Sequence, residues 1–274
     1  MRILITGCGY VGLPLGQALA ARGHTVHGVR RNPFTAEGIT AHTADLTQPG
    51  TLDTLPRDFD WVINTVSSSR GGAEAHRAIF LDGTRNLLDW LDEMPARLIF
   101  TSSTSVYQQT DSQWVDEETQ NAPATGTGAT LTETEELFLN AAVPATILRV
   151  AGIYGPERGY LFRQFLKGEA VMTGPDRWLN MIHRDDVISA ILMAMEIEPG
   201  IYNATDNEPV TQLAFFEWLA EQTGRPLPPV GEAGPRKRAI TNKRVRNAKL
   251  KATGWQLKYP TFREGFGALL ANAE

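Results

Sequence analysis

The sequence contains a single cysteine, Cys8, among its 274 residues. A disulfide bond within the chain is therefore impossible, and such a composition is typical of proteins from a reducing compartment. The chain enters a strand-like run directly after Met1, so we expect no signal peptide and predict a cytoplasmic location.

Long apolar runs and an excess of positive charge are also lacking. No apolar run approaches the roughly 18 residues that a membrane-spanning helix needs. The 26 Lys and Arg residues are outnumbered by 31 Asp and Glu residues, so the net charge of -5 gives no general attraction to nucleic acid or anionic lipid. No group of Cys and His residues has metal-binding spacing, and we predict no metal site. The oligomeric state stays open.

The sequence does contain a regular alternation of short apolar runs with helical patterns. Strands are predicted at Arg2–Thr6, Thr25–Val29, Ile39–Ala44, Asp60–Val66, Arg97–Thr101 and Thr146–Val150. Helices are predicted between them at Leu13–Arg22, Ala73–Leu91 and Thr130–Asn140. Apolar strands that alternate with helices are typical of an α/β fold with a Rossmann-like doubly wound parallel sheet. Ligands of such sheets bind at the carboxyl ends of the strands.

The pattern changes after Gly152, where helices are separated by loops rich in proline and glycine. These helices are predicted at Asp185–Ile197, Gln212–Gly224, Arg244–Gly254 and Phe262–Ala273. The segment Pro226–Arg238 is dense in proline, glycine and basic residues, which predicts an exposed loop. We therefore predict a sheet domain over residues 1–152, completed by later strands, and a small α-rich C-terminal lobe mainly over residues 153–274.

A Gly-x-Gly-x-x-Gly pattern lies between the first strand and the first helix, at Gly7, Gly9 and Gly12, with Tyr10 and Val11 inside it. In such a pattern the first glycine permits a tight turn, the second lets the backbone approach a diphosphate, and the third allows close packing of helix on strand. Free N–H groups at the start of the helix then face the phosphates. The alternative is a glycine turn that binds no ligand. We predict that the sheet domain binds a dinucleotide and that the C-terminal lobe binds the substrate.

The end of the second strand bears on the choice of cofactor. Folds that bind NAD place Asp or Glu there, on the ribose 2′-hydroxyl. This chain has Arg30, Arg31 and Asn32 instead. A guanidinium group binds a 2′-phosphate through charge-assisted hydrogen bonds, so we predict NADP(H), with NAD as the other possibility. The alternative interpretation of the two arginines is a solvated surface pair.

Asp45 and Leu46 follow the third strand. A carboxylate at this place can accept a hydrogen bond from the adenine amino group while the leucine covers the ring, so both residues are included in the predicted cofactor site. The alternative is that Asp45 caps a helix that begins near Thr47.

Several motifs follow one another in a familiar order. They are the glycine segment, Asp82–Leu88, Phe100–Tyr107, Leu148-Arg149 with Ile153–Pro156, and Ile182–Val187. In this order they resemble the NAD(P)-dependent epimerase/dehydratase family, the extended short-chain dehydrogenases/reductases. The short glycine pattern and the arginines after the second strand resemble the atypical branch of that group. The resemblance implies a Rossmann fold, a nicotinamide dinucleotide cofactor and a small substrate such as a nucleotide sugar.

The same resemblance assigns roles to single residues. Ser103 stands where the family has an active-site Ser or Thr, whose hydroxyl group polarises the reacting oxygen of the substrate. The alternative is a serine that caps the backbone at the end of a strand. Thr65, Val66 and Ser67 would lie along the ribose and phosphates of the cofactor.

One motif of the family is missing. Its acid/base is a tyrosine followed four residues later by a lysine, and none of the 6 tyrosines of this chain has a lysine at that spacing. In the corresponding segment, Thr127 stands at the tyrosine position and Leu131 at the lysine position. An aliphatic hydroxyl does not ionise near neutral pH, so another residue supplies the proton or the chain lacks this chemistry. Two functions stay open: an NADP(H)-binding oxidoreductase or nucleotide-sugar epimerase/dehydratase-like enzyme, and a non-catalytic NADP(H)-binding redox sensor or scaffold.

A few other residues are candidates for the site. His183 would head a helix and titrates near neutral pH, although a structural hydrogen bond is the stronger expectation. Tyr107 and Tyr154 are predicted on loops near the carboxyl edge, where packing is expected more than catalysis. Arg149 could bind an anion or pair with a buried carboxylate.

Basic residues crowd one further segment of the C-terminal lobe. They are Arg236, Lys237, Arg238, Lys243, Arg244 and Arg246. The segment could clamp the diphosphate of a sugar nucleotide, or it could form a solvated loop and helix face.

Overall fold

The computed structural model describes residues 1–68, 71–91, 95–120, 126–232 and 241–271. Strands in these residues are β1 (Arg2–Thr6), β2 (Thr25–Arg30), β3 (Ile39–Thr43), β4 (Trp61–Asn64), β5 (Arg97–Ser103), β6 (Trp114–Val115), β7 (Ala145–Val150), β8 (Gly152–Tyr154), β9 (Trp178–Leu179), β10 (Met181–His183), β11 (Gly200–Ala204), β12 (Val210–Thr211) and β13 (Arg244–Val245). Helices are α1 (Gly12–Ala21), α2 (Gly72–Arg77), α3 (Gly83–Trp90), α4 (Thr127–Leu139), α5 (Tyr160–Lys167), α6 (Arg184–Ala194), α7 (Gln212–Thr223), α8 (Ala248–Ala252) and α9 (Phe262–Ala271).

One sheet of 7 strands has the order β11-β7-β5-β4-β1-β2-β3. The pairs β1–β2, β1–β4, β2–β3 and β4–β5 are parallel. The order of the strands reverses between β1 and β4, which is the switch point where a doubly wound sheet leaves a crevice at the carboxyl ends of its strands. The predicted α/β fold with a Rossmann-like sheet is confirmed.

The central strands are buried because they are continuously apolar. The side chains of Ile3–Ile5, Val62, Ile63 and Leu98–Phe100 have no exposed surface. Each fully buried aliphatic side chain of this kind contributes about 1.5–3 kcal/mol relative to an exposed one. The resulting rigid sheet fixes the positions of the loops that follow β1, β2 and β4.

The helix predicted over Arg244–Gly254 is wrong at its start. Arg244 and Val245 form β13, which pairs in parallel with β6. The N–H of Arg244 donates to the carbonyl of Gln113 at 2.9 Å. Partners on another strand thus outweigh the weak local preference of these residues for a helix.

Two other predictions differ in detail from the structure. The single helix predicted at Ala73–Leu91 is present as α2 and α3, joined by a wider π-helical turn at Ala78–Asp82. The predicted loop Pro226–Arg238 is described only as far as residue 232, and the remainder lies outside the described residues.

Contacts divide the chain into two compact units. The first unit takes the described residues of Met1–Val106, Pro123–Arg149 and Ala190–Tyr202, and the second takes those of Tyr107–Ala122, Val150–Ser189 and Asn203–Glu274. The second unit has its own core, which is rich in phenylalanine: Phe162, Phe165, Phe215, Phe216, Phe262 and Phe266. In the described parts of the chain, no helix is long and apolar enough to cross a membrane, and no group of three or more His, Cys, Asp or Glu could hold a metal ion.

Candidate functional site

The loop after β1 is anchored to the end of β2. The N–H groups of Gly7 and Cys8 both donate to the carbonyl of Val29, at 3.0 and 2.9 Å. Gly7 has φ +78°, and a Cβ on it would lie 2.5 Å from the backbone nitrogen of Val66. Only glycine fits there, because an L-residue would be strained in this conformation and would collide with backbone.

The other two glycines of the pattern differ in their surroundings. A Cβ on Gly12 would lie 2.6 Å from Oγ1 of Thr65 and 2.7 Å from the carbonyl oxygen of Gly7, so Gly12 is required by packing. A Cβ on Gly9 would meet only the Gly7 oxygen, at 3.8 Å. The fold therefore does not require a glycine at Gly9, and its bare backbone borders open space that a ligand can approach.

The start of α1 offers donors to that space. Within the described chain, no acceptor is found for the backbone N–H groups of Val11 and Gly12. The N-terminus of this ten-residue helix also carries about half a positive charge from the helix dipole. Such a terminus favours an anion, and a diphosphate in particular.

Thr65 holds the loop after β4 against the glycine loop. Its Oγ1 donates to the carbonyls of Thr6 and Gly7, at 3.1 and 3.0 Å, and its N–H donates to the carbonyl of Thr6 at 2.8 Å. Thr65 is therefore a structural tie between the two loops. Val66 is held in turn by the Asn64 side chain, whose Oδ1 accepts its N–H at 3.1 Å.

These loops surround a cavity of about 270 Å³ at the carboxyl ends of β1 and β2. It is lined by these predicted site residues: Gly7, Gly9, Arg30, Arg31, Asn32, Asp45, Leu46, Val66 and Ser67. Other predicted residues do not line it: Tyr10, Val11, Gly12, Thr65 and Ser103. Sequence analysis missed these lining residues: Val29, Ala44, Thr47 and Ile79. Val29 and Ala44 lie at strand ends and Thr47 lies in the turn after β3, each beside a predicted residue. Ile79 lies in the π-helical turn, and no sequence signal marks it.

Arg30 is held in place by its neighbours. Its Nε donates to the carbonyl of Asn32 at 3.0 Å, and its guanidinium lies 5.0 Å from the centre of the Phe34 ring. Arg31 and Asn32 are exposed. In the described residues neither arginine pairs with a carboxylate, so both guanidinium groups can bind a ligand anion.

Asp45 has a local role at the edge of the cavity. Its Oδ1 accepts hydrogen bonds from the N–H and the Oγ1 of Thr47, at 3.0 and 2.8 Å. This is a turn and not the start of an α-helix, because only a 3₁₀ turn at Pro49–Thr51 follows. Oδ2 receives no donor from the described residues, so it can still accept from a ligand.

Cys8 lies beneath the glycine loop, with its side chain buried. A Cβ on Gly28 would lie 2.7 Å from its Sγ, so the thiol fills the space that this glycine leaves on β2. Burial raises the pKa of the thiol to about 11, and the charge of Arg30 offsets part of this rise. The thiol is neutral at physiological pH and packs as a small apolar group.

Ser103 ends β5 and is half-buried. Its Oγ accepts the N–H of Ser105 at 3.2 Å, which is the backbone-capping geometry of the alternative interpretation. Because the oxygen acts as an acceptor in this contact, the hydroxyl hydrogen stays available for a substrate oxygen.

The segment that corresponds to the family's Tyr and Lys lies at the start of α4. Thr127 is its first residue, and Leu131 is 2% exposed in the core. One turn further on, Glu135 forms a buried ion pair with Arg149 at 2.7 Å and accepts the Ser102 hydroxyl at 2.5 Å. The expectation that Arg149 pairs with a buried carboxylate is confirmed.

The three remaining candidates lie in the second unit and have structural contacts. Nδ1 of His183 accepts the N–H of Asp185 at 3.2 Å, and burial lowers the pKa of the imidazole to about 4. Tyr107 donates to Asn203 at 2.9 Å. Tyr154 lies on β8, not on a loop, and its buried hydroxyl has no hydrogen-bond partner within the described residues. Burial raises the pKa of this hydroxyl, so Tyr154 gives up its proton less readily than an exposed tyrosine does.

The glycine loop, the crevice at the switch point and the cationic end of β2 together define a Rossmann-type α/β protein with a site suited to a dinucleotide. Residues 3–205 match the NAD dependent epimerase/dehydratase family. The chain belongs to this family, as its motifs suggested.

Three known proteins illustrate the similarity. Protein YeeZ of Escherichia coli K12 is 30% identical over 239 residues, which cover 81% of this chain and 84% of YeeZ. A Methylobacillus flagellatus protein, proposed to be an NAD-dependent epimerase/dehydratase, is 36% identical with a TM-score of 0.82, covering 99% of this chain and 98% of its own. MoeE5, solved with UDP-glucuronic acid and NAD, has a TM-score of 0.84 over 100% of both chains but only 20% identity, so it shares the fold alone.

Proposed function

We propose that this chain binds NADP(H) and acts as an oxidoreductase or nucleotide-sugar epimerase/dehydratase-like enzyme. The observation that carries the proposal is one cavity that brings Arg30 and Arg31 beside Gly7 and Gly9. The two guanidinium groups at its edge pair with no carboxylate of the described residues, so the cavity suits a ligand with a 2′-phosphate better than one with a bare ribose hydroxyl.

Each part of the cavity fits one part of that ligand. The open backbone at Gly9 lines the cavity and would hold the diphosphate. The N–H groups of Val11 and Gly12, which follow it at the start of α1 and have no acceptor in the described chain, would assist it. Arg30 and Arg31 would hold the 2′-phosphate. The second carboxylate oxygen of Asp45 would accept the adenine amino group, beside Leu46.

NADP(H) supplies a hydride donor or acceptor when it is bound. The Ser103 hydroxyl would donate to the substrate oxygen that gains or loses the hydride. The family supports a small carbonyl or alcohol substrate, and the UDP-glucuronic acid of MoeE5 supports a nucleotide sugar. A single cysteine supports a cytoplasmic location.

A second candidate function is a non-catalytic NADP(H)-binding sensor or scaffold. The observation that favours it is Leu131, an apolar side chain 2% exposed at the lysine position. Thr127 at the tyrosine position cannot replace a general acid worth roughly 10²–10⁴ in rate.

Titration calorimetry of the purified chain with NADPH, NADH and NADP⁺ tests the cofactor. We expect NADPH to bind at least about tenfold more tightly than NADH, a difference of about 1.4 kcal/mol. The Arg30→Ala/Arg31→Ala variant should lose this difference while it still binds NADH.

Arg22→Ala is the control, because Arg22 is exposed at the opposite end of α1; it removes one positive charge, against two in the double variant. If Arg22→Ala reduces the difference in affinity between NADPH and NADH as much as the double variant does, the general charge of the protein explains that difference and a 2′-phosphate site does not. If none of the three dinucleotides binds, the proposed function fails altogether.

A further inference from the structure

His27 and His42 form a histidine pair on neighbouring strands of the first unit. His27 lies in β2 and is 7% exposed, and His42 lies half-buried in β3. Nδ1 of His27 and Nε2 of His42 are 2.9 Å apart, and the two ring planes differ by 12°. This is the distance of a hydrogen bond, so one ring donates its N–H and the other accepts it. The ring of Phe59 packs on His27, with 5.2 Å between the ring centres.

Arg2 on β1 decides which ring of the histidine pair is the donor. Its Nε donates to Nε2 of His27 over a long contact of 3.5 Å, because a guanidinium group has no lone pair to offer. Nε2 of His27 therefore carries no hydrogen, and the hydrogen of this ring lies on Nδ1, which donates to His42. A chain of hydrogen bonds thus runs from Arg2 through His27 to His42 and links the side chains of β1, β2 and β3.

This chain of hydrogen bonds is complete only while both imidazoles are neutral. A proton added to Nε2 of His27 would face the Arg2 donor, and a proton added to Nε2 of His42 would face the N–H of His27. Moving the hydrogens between the rings does not help. The two hydrogen bonds each need a lone pair of a ring nitrogen, and three hydrogens on four ring nitrogens leave only one. Every protonated form therefore loses one of the two bonds.

The charged groups around the histidine pair give an added proton little support. Asp58, on the loop before β4, forms an ion pair with the Arg2 guanidinium, and Asp60 accepts the backbone N–H of Arg2 at 2.6 Å. Burial lowers the pKa of His27; the charges of Arg2 and His42 lower it further, and Asp58 offsets part of this. Burial also lowers the pKa of His42. As pH falls below the ordinary histidine pKa of about 6.5, the fold loses stability that the neutral pair contributes.

The histidine pair lies just before the cavity on both strands. Beyond the pair, the N–H of Ala44 donates to the carbonyl of Arg30 at 3.2 Å, so the two strand ends are held to each other at the edge of the cavity. The residues two and three positions after each histidine all line the cavity: Val29, Arg30, Ala44 and Asp45.

We infer that His27 and His42 are positioning residues of the cofactor cavity. The neutral pair holds the ends of β2 and β3 at the spacing that the ligand needs, and protonation of the pair weakens ligand binding. The inference rests on the proposed function and adds to it a loss of cofactor affinity on acidification. A preformed site binds at a lower entropic cost, so loosening the two strand ends lowers affinity although neither histidine contacts the ligand.

Titration calorimetry with NADP⁺ at about pH 7.5 and about pH 5, the range in which imidazoles titrate, is the test. In His27→Asn/His42→Gln, the Asn amide N–H replaces Nδ1–H of His27 and the Gln carbonyl oxygen replaces Nε2 of His42. The altered pair keeps a hydrogen bond but cannot take up a proton. Its affinity for NADP⁺ should match that of the unaltered chain within about twofold at pH 7.5 and exceed it at least about threefold at pH 5. Protonation of the ligand's own phosphates is common to both proteins and cancels in this comparison.

His24→Gln is the control, because His24 is a partly exposed histidine outside the pair. Its affinity for NADP⁺ should follow that of the unaltered chain at both pH values. Equal pH dependence in the unaltered chain and the double variant overturns the inference, and so does a His24→Gln variant that behaves like the double variant. Binding at pH 5 that is tighter in the unaltered chain than in the double variant also overturns it, because the added charge would then attract the phosphates. His42→Gln alone takes the place of a double variant that does not fold.

Hydrogen exchange without ligand separates a failure of this inference from a failure of the proposed function. At pH 5 the amides of β2 and β3 should exchange at least about threefold faster in the unaltered chain than in the double variant, and at pH 7.5 the rates should agree within about twofold. Comparing the two proteins at one pH cancels the chemical exchange rate. If exchange responds in this way but NADP⁺ does not bind, the proposed function fails and the role of the pair in holding the strands is supported. If NADP⁺ binds and neither exchange nor affinity differs between the proteins, only the inference fails.

Discussion

Gly9 allows the sharpest test of the glycine loop, because the fold itself does not need a glycine there. In Gly9→Ala the new methyl group would meet only the Gly7 carbonyl oxygen, at 3.8 Å, which is ordinary contact. Gly9 is also absent from the glycines with positive φ. The substitution should therefore leave stability unchanged or raise it by up to about 1 kcal/mol through the unfolded chain.

Gly7→Ala is the matched substitution in the same loop. Its φ of +78° costs an alanine about 1–2 kcal/mol, and a Cβ 2.5 Å from the Val66 nitrogen forces backbone to move at a cost of about 1–3 kcal/mol. The sum, about 2–5 kcal/mol, corresponds to a fall in melting temperature of roughly 3–9 °C for a chain of 274 residues.

The two variants are compared by thermal unfolding and by NADPH titration. Gly9→Ala should unfold like the unaltered chain and yet bind NADPH at least about tenfold more weakly, because its methyl group occupies the approach of the diphosphate. If Gly9→Ala binds NADPH within about twofold of the unaltered chain, the loop is a packing turn and our interpretation of the cavity is wrong. If Gly9→Ala unfolds as early as Gly7→Ala, the geometry of the loop is wrong.

Further predictions concern catalysis, pH dependence and a buried ion pair. Ser103→Ala should keep NADPH affinity within about twofold and lower turnover of a nucleotide sugar by about 10²-fold or more; unchanged turnover removes Ser103 from the mechanism. His183, whose folded pKa of about 4 lies below its unfolded value, contributes stability that is lost as pH falls from 6.5 towards 4. The pKa of Asp186 is raised to about 6, so protonation of this carboxyl stabilises the fold as pH falls and opposes the effect of His183. Urea unfolding of the unaltered chain must therefore be compared with that of His183→Asn. The difference in free energy of unfolding between the two proteins should change by about 3 kcal/mol between pH 6.5 and pH 4. A difference that stays constant over this range contradicts the prediction. Glu135→Leu should lower the free energy of unfolding by about 3–5 kcal/mol, because Arg149 loses its buried partner. Glu135→Leu/Arg149→Met should recover much of this loss in the same assay. A double variant that is less stable than Glu135→Leu contradicts the argument.

Local patterns in the sequence predict most of the fold. Runs such as Arg2–Thr6 form strands because their residues are apolar on both faces, and alternation with helices leaves a parallel sheet as the compact solution. The helix predicted at Arg244 failed for the opposite reason. Arg244 and Val245 instead pair with β6, which lies more than a hundred positions away in the sequence. A local pattern cannot contain such a distant partner.

The candidate cofactor site was largely predictable because strand order brings its parts together. Gly7, Arg30 and Asp45 lie at or just after the ends of the neighbouring strands β1, β2 and β3, so they meet at one edge of the sheet. Ile79 was not predictable, since its place in the cavity depends on a π-helical turn whose cause is not visible in the residues around it.

What the sequence by itself determined is the kind of residue at each position: glycine at the turn, arginine after β2, and neither tyrosine nor lysine at Thr127 and Leu131. The tertiary structure decided which of these groups have partners. Burial raises the pKa of the Cys8 thiol and of the Tyr154 hydroxyl, while Arg30 lines the cavity and pairs with no carboxylate among the described residues. The physical reason is that the pKa and pairing of a group depend on its desolvation and on charges brought near by distant parts of the chain.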